Sequence, residues 1–336
     1  MIRAAIVGCG GMGGMHADCL RKLADQGRKV KIVAAVDIVF EKAEALASQH
    51  PGAKAYLSLE EMLDTEQPDL VYITTPSYLH SEMAVACFEA ECHVFSEKPM
   101  ALDPVDALAM GNAADLSERF LMVGQVVRFW DSYRYLQQAV KNQRFGKLLS
   151  LRLWRSSQSP SWGERSWFLD EELSGRAPVD IHIHDTDFVH ALLGKPEAVT
   201  SHLLDDGKET SYIYSHFQYP EVEVYVEGGW VKAPLPFNYG FEAIFAEAVL
   251  HNHNDDLIVY ETGKDPQTVD VTAEIFDQVY ANLPTMGPYV AEDAYFLDCI
   301  ENNTPPSIVT PDSAMASLNI VFKEVQSARL KKPVRV

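Results

Sequence analysis

A glycine-rich turn with the sequence GCGGMG, at residues 8–13, constrains the fold of this chain more than any other feature. The apolar residues before it predict a buried strand, and the residues after it have the periodicity of a helix. Gly8, Gly10 and Gly13 match G-x-G-x-x-G, which combines a tight turn, close approach of a pyrophosphate and close helix–strand packing. We therefore predict a dinucleotide site whose glycine turn comprises Gly8, Gly10, Gly11, Met12 and Gly13.

An aspartate follows the glycine turn at the distance expected for recognition of a ribose. Asp37 ends the second apolar run, and a carboxylate there accepts hydrogen bonds from the adenosine ribose diol and repels a 2′-phosphate. The next residue is Ile38, and no arginine stands nearby to bind that phosphate. We therefore expect the cofactor to be NAD, with NADP as the less favoured alternative.

The first 120 or so residues alternate short apolar runs with helical patterns, which is typical of a doubly wound parallel sheet. Ser58 is placed to cap one of these helices. The predicted strands cover residues 4–8, 31–37, 70–76, 93–99 and 120–125, and the predicted helices cover 15–25, 39–50, 58–64, 80–90 and 104–118.

After about residue 145 the chain reads as consecutive strands separated by turn signals, which predicts a mainly antiparallel open sheet. The fold class is thus α/β: a Rossmann domain at residues 1–123 and an α+β domain at 124–336 for substrate binding and oligomerisation. The predicted strands of the second domain cover 147–156, 197–206, 210–220, 221–230, 241–250 and 256–262, followed by helices at about 288–302 and 311–330.

Composition limits the partners and the location. The formal net charge of −20 argues against nucleic acid as a partner, since a polyanion would be repelled. No apolar run reaches the roughly 18 residues of a membrane helix, and the N-terminal residues lack the pattern of an export signal. Five scattered cysteines without a CxxC pair favour a reduced, cytoplasmic protein over a disulfide framework or structural zinc.

Several further motifs together resemble one family. TTPSYLH at residues 74–80 follows a predicted strand, SEKPM at 96–100 ends another, and VDIHIHDTDFVHALLG occupies 179–194. With the glycine turn and Asp37, these segments resemble the Gfo/Idh/MocA oxidoreductases, a family that includes inositol and sugar dehydrogenases. The resemblance implies an NAD-dependent oxidoreductase that moves a hydride between nicotinamide and a secondary alcohol or ketone of a sugar, inositol or related polyol.

The TTP and EKP loops are predicted to complete the cofactor site at the carboxyl edge of the sheet. The resemblance implies that Lys98 contacts both the nicotinamide ribose and the substrate, and that the peptide between Lys98 and Pro99 is cis. The predicted cofactor contacts in these loops and in the strand that follows them are Thr74, Thr75, Pro76, His80, Glu97, Lys98 and Gln125.

The histidine-rich stretch supplies the predicted proton-transfer group. The resemblance assigns catalytic roles to Asp180 and His184, and a helix beginning near Asp180 would place the two on one face. His184 is suited to move the hydroxyl proton, while Asp180 and Lys98 position the substrate oxygen. Asp187 is a weaker third candidate on that face. We expect no metal, and we interpret the remaining members of the stretch as structural, namely His182, Asp185 and His190.

The segment SGRAP at residues 174–178 departs from the family, which usually has two or three glycines here. Arg176 and Pro178 are expected to stiffen the loop or to bring a cation near the pocket, although a surface arginine is the alternative we favour. The candidate substrate contacts, each with a packing role as its alternative, are Arg128, Trp162, Arg165 and Trp167.

Two other functions stay open, because some relatives oxidise a sugar transiently to cleave a glycosidic bond and others could bind NAD without catalysis. The expected ligand is a small sugar or polyol, without a membrane or nucleic-acid partner. The open face of the second sheet predicts a homodimer or homotetramer.

Overall fold

The computed structural model describes the backbone of residues 1–161, 164–271 and 287–336, and the side chains of 164 and 165 are outside the description. The first elements in chain order are β1 (Ile2–Val7), α1 (Gly11–Asp25), β2 (Val30–Val36), α2 (Phe40–Ala47), β3 (Lys54–Tyr56), α3 (Leu59–Glu66), β4 (Leu70–Ile73), α4 (His80–Glu89), β5 (His93–Ser96), α5 (Pro104–Ser117) and β6 (Leu121–Val123). They are followed by α6 (Asp131–Lys141), β7 (Leu148–Gln158), α7 (Glu171–Ser174), α8 (Ile183–Leu193), β8 (Ala198–Asp205), β9 (Ser211–Gln218), β10 (Glu223–Val231), β11 (Asn238–Phe245), β12 (Ala248–His253), β13 (Asp256–Glu261), β14 (Gln267–Thr268), α9 (Pro288–Glu301), α10 (Pro311–Leu330) and β15 (Val334–Arg335).

The chain divides into two compact units, and the first contains a parallel six-stranded sheet in the order β3-β2-β1-β4-β5-β6. This is the doubly wound order predicted from the strand–helix alternation. The order reverses between β1 and β4, and ligands of such sheets bind outside the carboxyl ends of the strands at that point. The glycine turn follows β1, Asp37 follows β2, the TTP loop follows β4 and the EKP loop follows β5. Ser58 caps α3 as predicted, with its hydroxyl accepting from the amide of Glu61 at 3.2 Å.

The second unit contains a nine-stranded sheet in the order β14-β13-β12-β11-β7-β10-β9-β8-β15. β7 and β10 pair in parallel, and the other neighbours pair antiparallel, so the mainly antiparallel sheet is confirmed. One face carries the unit's buried core, which includes Phe217, Phe241 and Leu250 from the strands and Tyr133 and Phe188 from α6 and α8.

The single strand predicted at residues 241–250 is wrong. The chain turns at residues 246–247, and β11 pairs antiparallel with β12, so that Ile244 lies opposite Val249. Buried residues alternate within each strand and face the same core, and only the two exposed residues at 246–247 interrupt the alternation, so a single strand was a natural interpretation of the sequence.

The compact units also differ from the two continuous segments that were expected. The first segment of unit one ends at Val126, close to the predicted boundary, but α9 belongs to unit one as well. Most of α9 is buried, and its Asp298 pairs with Arg28 just beyond α1 at 2.6 Å. Sequence periodicity assigns a helix but does not say on which unit it packs.

Candidate functional site

The glycine turn has the geometry that its motif requires. Gly8 has a φ of 93°, and a Cβ built there would lie 2.8 Å from the backbone of Thr74. A Cβ on Gly13 would lie 2.1 Å from the carbonyl oxygen of Gly8, so α1 can pack this closely only with glycine. Gly10 and Gly11, in contrast, face open space within 4 Å. The turn is therefore closed toward the sheet and open at the N-terminus of α1, where a phosphate can approach free N–H groups.

Asp37 is held in place by backbone amides. One carboxylate oxygen accepts from Cys9 N at 2.8 Å, and the other accepts from Val39 N at 2.9 Å. The carboxylate thus lies at the glycine turn while keeping lone pairs for a ribose diol. Ile38 is 80% exposed and offers no charge to a 2′-phosphate. This arrangement supports the preference for NAD.

Two side chains join the loops at the carboxyl edge. The Thr74 hydroxyl donates to Gly8 O at 2.7 Å, which ties the TTP loop to the glycine turn. The buried ring of His80 has its nitrogens 3.0 Å from Thr75 O and 2.8 Å from Pro99 O, and burial lowers the pKa of His80. His80 therefore braces the TTP and EKP loops, and its direct contact with a cofactor stays a prediction. The Lys98–Pro99 peptide is cis, as predicted.

A buried charge cluster lies behind the EKP loop. The ring of His16 on α1 bonds to Asp293 of α9 at 2.9 Å and to Glu97 at 3.2 Å, while Glu97 accepts from the amide of Lys98 at 3.0 Å. Burial opposes charging of the ring, but the two carboxylates outweigh it and raise the pKa of His16 to about 10. Although burial works against it, the bond to His16 holds the pKa of Glu97 below its ordinary value. An imidazolium between two carboxylates thus fixes Glu97 and, through it, the backbone of Lys98.

Gln125, which follows β6, is a buried polar residue of this unit that can pair with a ligand. It is 1% exposed, and neither atom of its side-chain amide has a hydrogen-bond partner within the described parts of the chain. A buried amide without partners costs free energy, so a group that pairs with it is expected. Together with the open glycine turn and Asp37, Gln125 shows that the unit fits a dinucleotide.

Lys98 lies in the first unit, whereas Asp180 and His184 lie in the second. The segment Pro178–His182 forms a π-helical turn that continues directly into α8. The simple four-residue spacing assumed from the sequence is therefore altered, because a π turn is wider than an α turn. Such turns are frequent at functional sites. Asp180 and His184 are both half-buried.

Two buried arginine–aspartate pairs hold the start of α8. The Arg155 guanidinium of β7 donates from two nitrogens to Asp185 at 2.9 Å each, and Arg128 donates to Asp187 at 2.7 and 2.6 Å. Both aspartates are fully buried. Bidentate pairs of this kind fix orientation as well as charge. Asp187 is thus part of the support of the helix and is not placed to act as a third group beside His184.

A third buried pair anchors the turn itself. His182 lies between Asp180 and His184, and its Nε2 lies 2.5 Å from the carboxylate of Glu324 on α10. The same carboxylate accepts from Thr186 at 2.9 Å. His182 is fully buried, so its predicted structural role is confirmed. His190 also has a structural contact, at 3.2 Å from the hydroxyl of Ser317.

The predicted substrate contacts lie in different surroundings. Arg128 pairs with Asp187 inside the second unit, which agrees with the structural alternative given for it, and a contact with substrate stays a prediction. Trp167 is half-buried and stacks on Phe168 with ring centroids 3.9 Å apart. The predictions for Trp162 and Arg165 lie outside the described side chains.

Arg176 is not at the surface, which corrects the alternative favoured from the sequence, and its buried contacts agree with the expectation that it stiffens the loop. It is 5% exposed, and its guanidinium lies against backbone carbonyls and Asp205. A family glycine would have provided none of these bonds.

No cluster of side chains suited to a metal ion occurs among the described residues. Within the same residues, no helix is long and apolar enough to cross a membrane.

Comparison with known proteins agrees with the geometry of both units. A family described as "Oxidoreductase family, NAD-binding Rossmann fold" matches residues 2–125, and the family's C-terminal domain matches residues 133–234. The chain belongs to the Gfo/Idh/MocA family. Its first unit is an NAD-binding Rossmann domain.

Curated relatives of this family member include two dehydrogenases. Myo-inositol 2-dehydrogenase of Thermotoga maritima is 27% identical over 58% of the chain, and D-glucoside 3-dehydrogenase of Escherichia coli K12 is 31% identical over 60%. The matched regions span 55% and 57% of those proteins, little more than half of their lengths. Levoglucosan dehydrogenase in complex with NADH and levoglucosan has the same fold, with a TM-score of 0.85, 19% identity and coverage of 100% and 99% of the two chains.

The sequence did not single out His16 and Asp293 as functional, although each is an ionisable residue at a position where its helix is buried. His16 shares the face of α1 that buries Gly13 and Leu20, and Asp293 stands beside a second acid in the buried middle of α9. Ionisable residues on buried faces are almost always paired.

Proposed function

We propose that this chain is an NAD-dependent dehydrogenase that interconverts a secondary alcohol and a ketone on a sugar, an inositol or a related polyol. The observation that carries the proposal is the family match over both units, with Asp180 on an anchored turn, His184 on the helix that follows it and Lys98 on an anchored loop. The names of the curated relatives, inositol and glucoside dehydrogenases, support the substrate class.

Bound NAD would supply the acceptor for the hydride that leaves the alcohol carbon. Gly8, Gly10 and Gly13 would hold the pyrophosphate, Asp37 the ribose, and Gln125 the remaining polar edge of the cofactor. The other glycine-turn and loop residues proposed to line the same site are Gly11, Met12, Ile38, Thr74, Thr75, Pro76, His80 and Glu97.

In the proposed reaction His184 takes the hydroxyl proton of the substrate and returns it in the reverse direction. Asp180 orients the hydroxyl group. Lys98 stabilises the negative charge that develops on the oxygen. Trp167 would pack against the sugar ring.

A screen of polyols and aldoses with NAD⁺ and NADP⁺, followed by absorbance of the reduced cofactor, tests this function. We expect reduced cofactor to accumulate with NAD⁺ and at least one polyol or sugar. Release of nitrophenol from a nitrophenyl glycoside without net NADH would instead support transient oxidation. NAD binding without turnover of any sugar would support a sensor.

We also propose a homodimer or homotetramer formed through the open face of the second sheet. Tyr214, Tyr225 and Tyr260 are 42–49% exposed and lie on that face, together with Ile244 at 37%. Aromatic side chains exposed together favour association. Light scattering at micromolar concentration should show the oligomer, and Tyr225→Glu should shift it toward monomer.

All five cysteines are free thiols, and burial raises the pKa of each of them. This supports the proposed cytoplasmic location, where thiols stay reduced.

A further inference from the structure

The segment just before the π-helical turn is held by a single arginine. We propose that Arg176 is a positioning residue that holds the loop of Trp167 and the turn of Asp180 in the arrangement needed to bind the sugar. The inference rests on the proposed function, because it assigns Arg176 a task at that same site.

The guanidinium of Arg176 joins two separate parts of the second unit. Nη1 donates to Leu169 O at 2.9 Å, on the loop that carries Trp167. Nη2 donates to Lys208 O at 3.1 Å and to Thr210 O at 3.2 Å, in the hairpin between β8 and β9. Asp205, at the end of β8, lies 2.9 Å from Nε and balances the charge. The planar fork of an arginine can reach these groups together, whereas the single nitrogen of a lysine cannot.

The backbone of Arg176 is tied to the same loop. Its amide donates to the hydroxyl of Ser174 at 2.8 Å. That hydroxyl lies 2.8 Å from Phe168 O and 2.9 Å from Asp170 O. Since the ring of Trp167 stacks on Phe168, the main chain and the side chain of Arg176 both secure the aromatic pair.

The turn of Asp180 begins two residues after Arg176. Gly175 has a φ of 68°, and a Cβ there would lie 2.5 Å from the side chain of Val179, so the loop packs tightly on the turn. Arg176 has a φ of 55°, in the left-handed region that residues with a Cβ rarely adopt. The contacts of its side chain compensate for this backbone. The position of Arg176 therefore sets where the chain enters the π-helical turn.

Arg176 has no role as a substrate cation. It is buried, and its charge is neutralised by Asp205. An effect of its substitution on sugar binding must therefore act through the loop and the turn.

Arg176→Gly is the primary test, because glycine adopts the backbone conformation without cost while the bonds are lost. We expect kcat/KM for the sugar to fall by roughly 10- to 100-fold, since small displacements of positioned groups have effects of this size. The Kd for NAD⁺ should be unchanged. The kcat/KM of Arg176→Lys should fall by a similar factor. Lys208→Ala removes a neighbouring charge but keeps the backbone carbonyl, so its kcat/KM should equal that of the wild type.

A double-mutant cycle with Trp167→Ala separates positioning from general stability. In the Trp167→Ala background Arg176→Gly should lower kcat/KM clearly less than in the wild-type background. An equal loss in both backgrounds, or a loss in Arg176→Gly within about threefold of wild type, overturns the inference.

Hydrogen exchange tests whether Arg176 holds the loop of Trp167 and the hairpin between β8 and β9, even if no sugar is turned over. In Arg176→Gly the amides of residues 166–176 and 206–211 should exchange faster than in wild type, while α1 should not change. Unchanged exchange in both segments overturns the inference. A wild-type chain that reduces no NAD⁺ with any sugar counts against the proposed function alone.

Discussion

The first unit supports Lys98 through one titratable cluster, whereas the second supports Asp180 and His184 mainly through arginine–aspartate pairs. In the first, a protonated His16 lies between two carboxylates. In the second, Arg155 and Arg128 each bind one aspartate in a bidentate pair. Both devices fix the backbone beneath groups for which we propose catalytic roles.

The difference between the two devices lies in their response to pH. An arginine stays charged at every accessible pH, so the pairs under α8 act as permanent clamps. The imidazolium of His16 can lose its proton, and its cluster then carries repulsion between carboxylates without a balancing charge. The two arginines should therefore keep their charge over a pH range in which His16, in the support of Lys98, loses its own.

Arg155→Met should have the largest effect, because it leaves the fully buried Asp185 without its charged partner. Loss of one member of a buried pair costs about 3–5 kcal/mol of the free energy of unfolding. Urea unfolding of the variant measures this loss. Adding Asp185→Asn should recover part of it, and Lys147→Met, which breaks an exposed pair, should leave stability unchanged. A free energy of unfolding in Arg155→Met equal to that of the wild type would show that this pair does not hold the start of α8.

Lys98→Ala should lower kcat by ~10²–10³-fold, the effect of removing one group that stabilises developing charge. Binding of NAD⁺, followed by fluorescence titration, should persist. Turnover within about threefold of wild type would show that the cluster of His16 supports something other than a catalytic lysine.

Asp37→Ser should relax cofactor selectivity, because it removes the carboxylate that repels a 2′-phosphate while keeping a hydroxyl at the glycine turn. We expect the ratio of kcat/KM for NAD⁺ over NADP⁺ to fall by roughly tenfold, or about 1.4 kcal/mol. Asp64→Ser, an exposed change in the same unit, is the control. An unchanged ratio would argue against the role of Asp37.

His16→Gln should change the pH dependence of stability. The pKa of His16 is raised to about 10 from its ordinary value of 6.5. The folded state therefore binds the proton of His16 more tightly than the unfolded state does. The resulting stabilisation is fully present below pH 6.5 and is lost as the pH rises toward 10.

The urea midpoint of the wild type should fall across that pH window, and that of His16→Gln should fall less. His202→Gln, at an exposed histidine, should follow the wild type. Parallel curves for His16→Gln and the wild type would mean that the buried ring does not titrate there.

The parts of this molecule that depend on local backbone geometry could be predicted from sequence. The roles of Gly8 and Gly13 follow from the absence of a Cβ, and the position of Asp37 follows from the strand that precedes it. These features need only neighbouring residues. The doubly wound sheet follows from the alternation of strands and helices, and the cis bond before Pro99 was implied by the resemblance to the family and is present.

The supports could not be predicted, because each joins residues far apart in sequence. His16 and Asp293 are brought together by α9 packing on α1, and Arg128 finds Asp187 across the second unit. Arg176 was ambiguous for the same reason, since its partners lie in a hairpin some thirty residues away. The sequence marks such residues only as charges in apolar surroundings.

Hydride transfer from the substrate to NAD⁺ is tested most directly by following the hydrogen on the alcohol carbon. A polyol or sugar found in the screen should be deuterated at that carbon and incubated with the wild-type chain and NAD⁺, and the reduced cofactor should be analysed by mass spectrometry. We predict one deuterium in each NADH formed, with a ketone as the other product. Substrate consumed by hydrolysis without deuterated NADH would contradict the account.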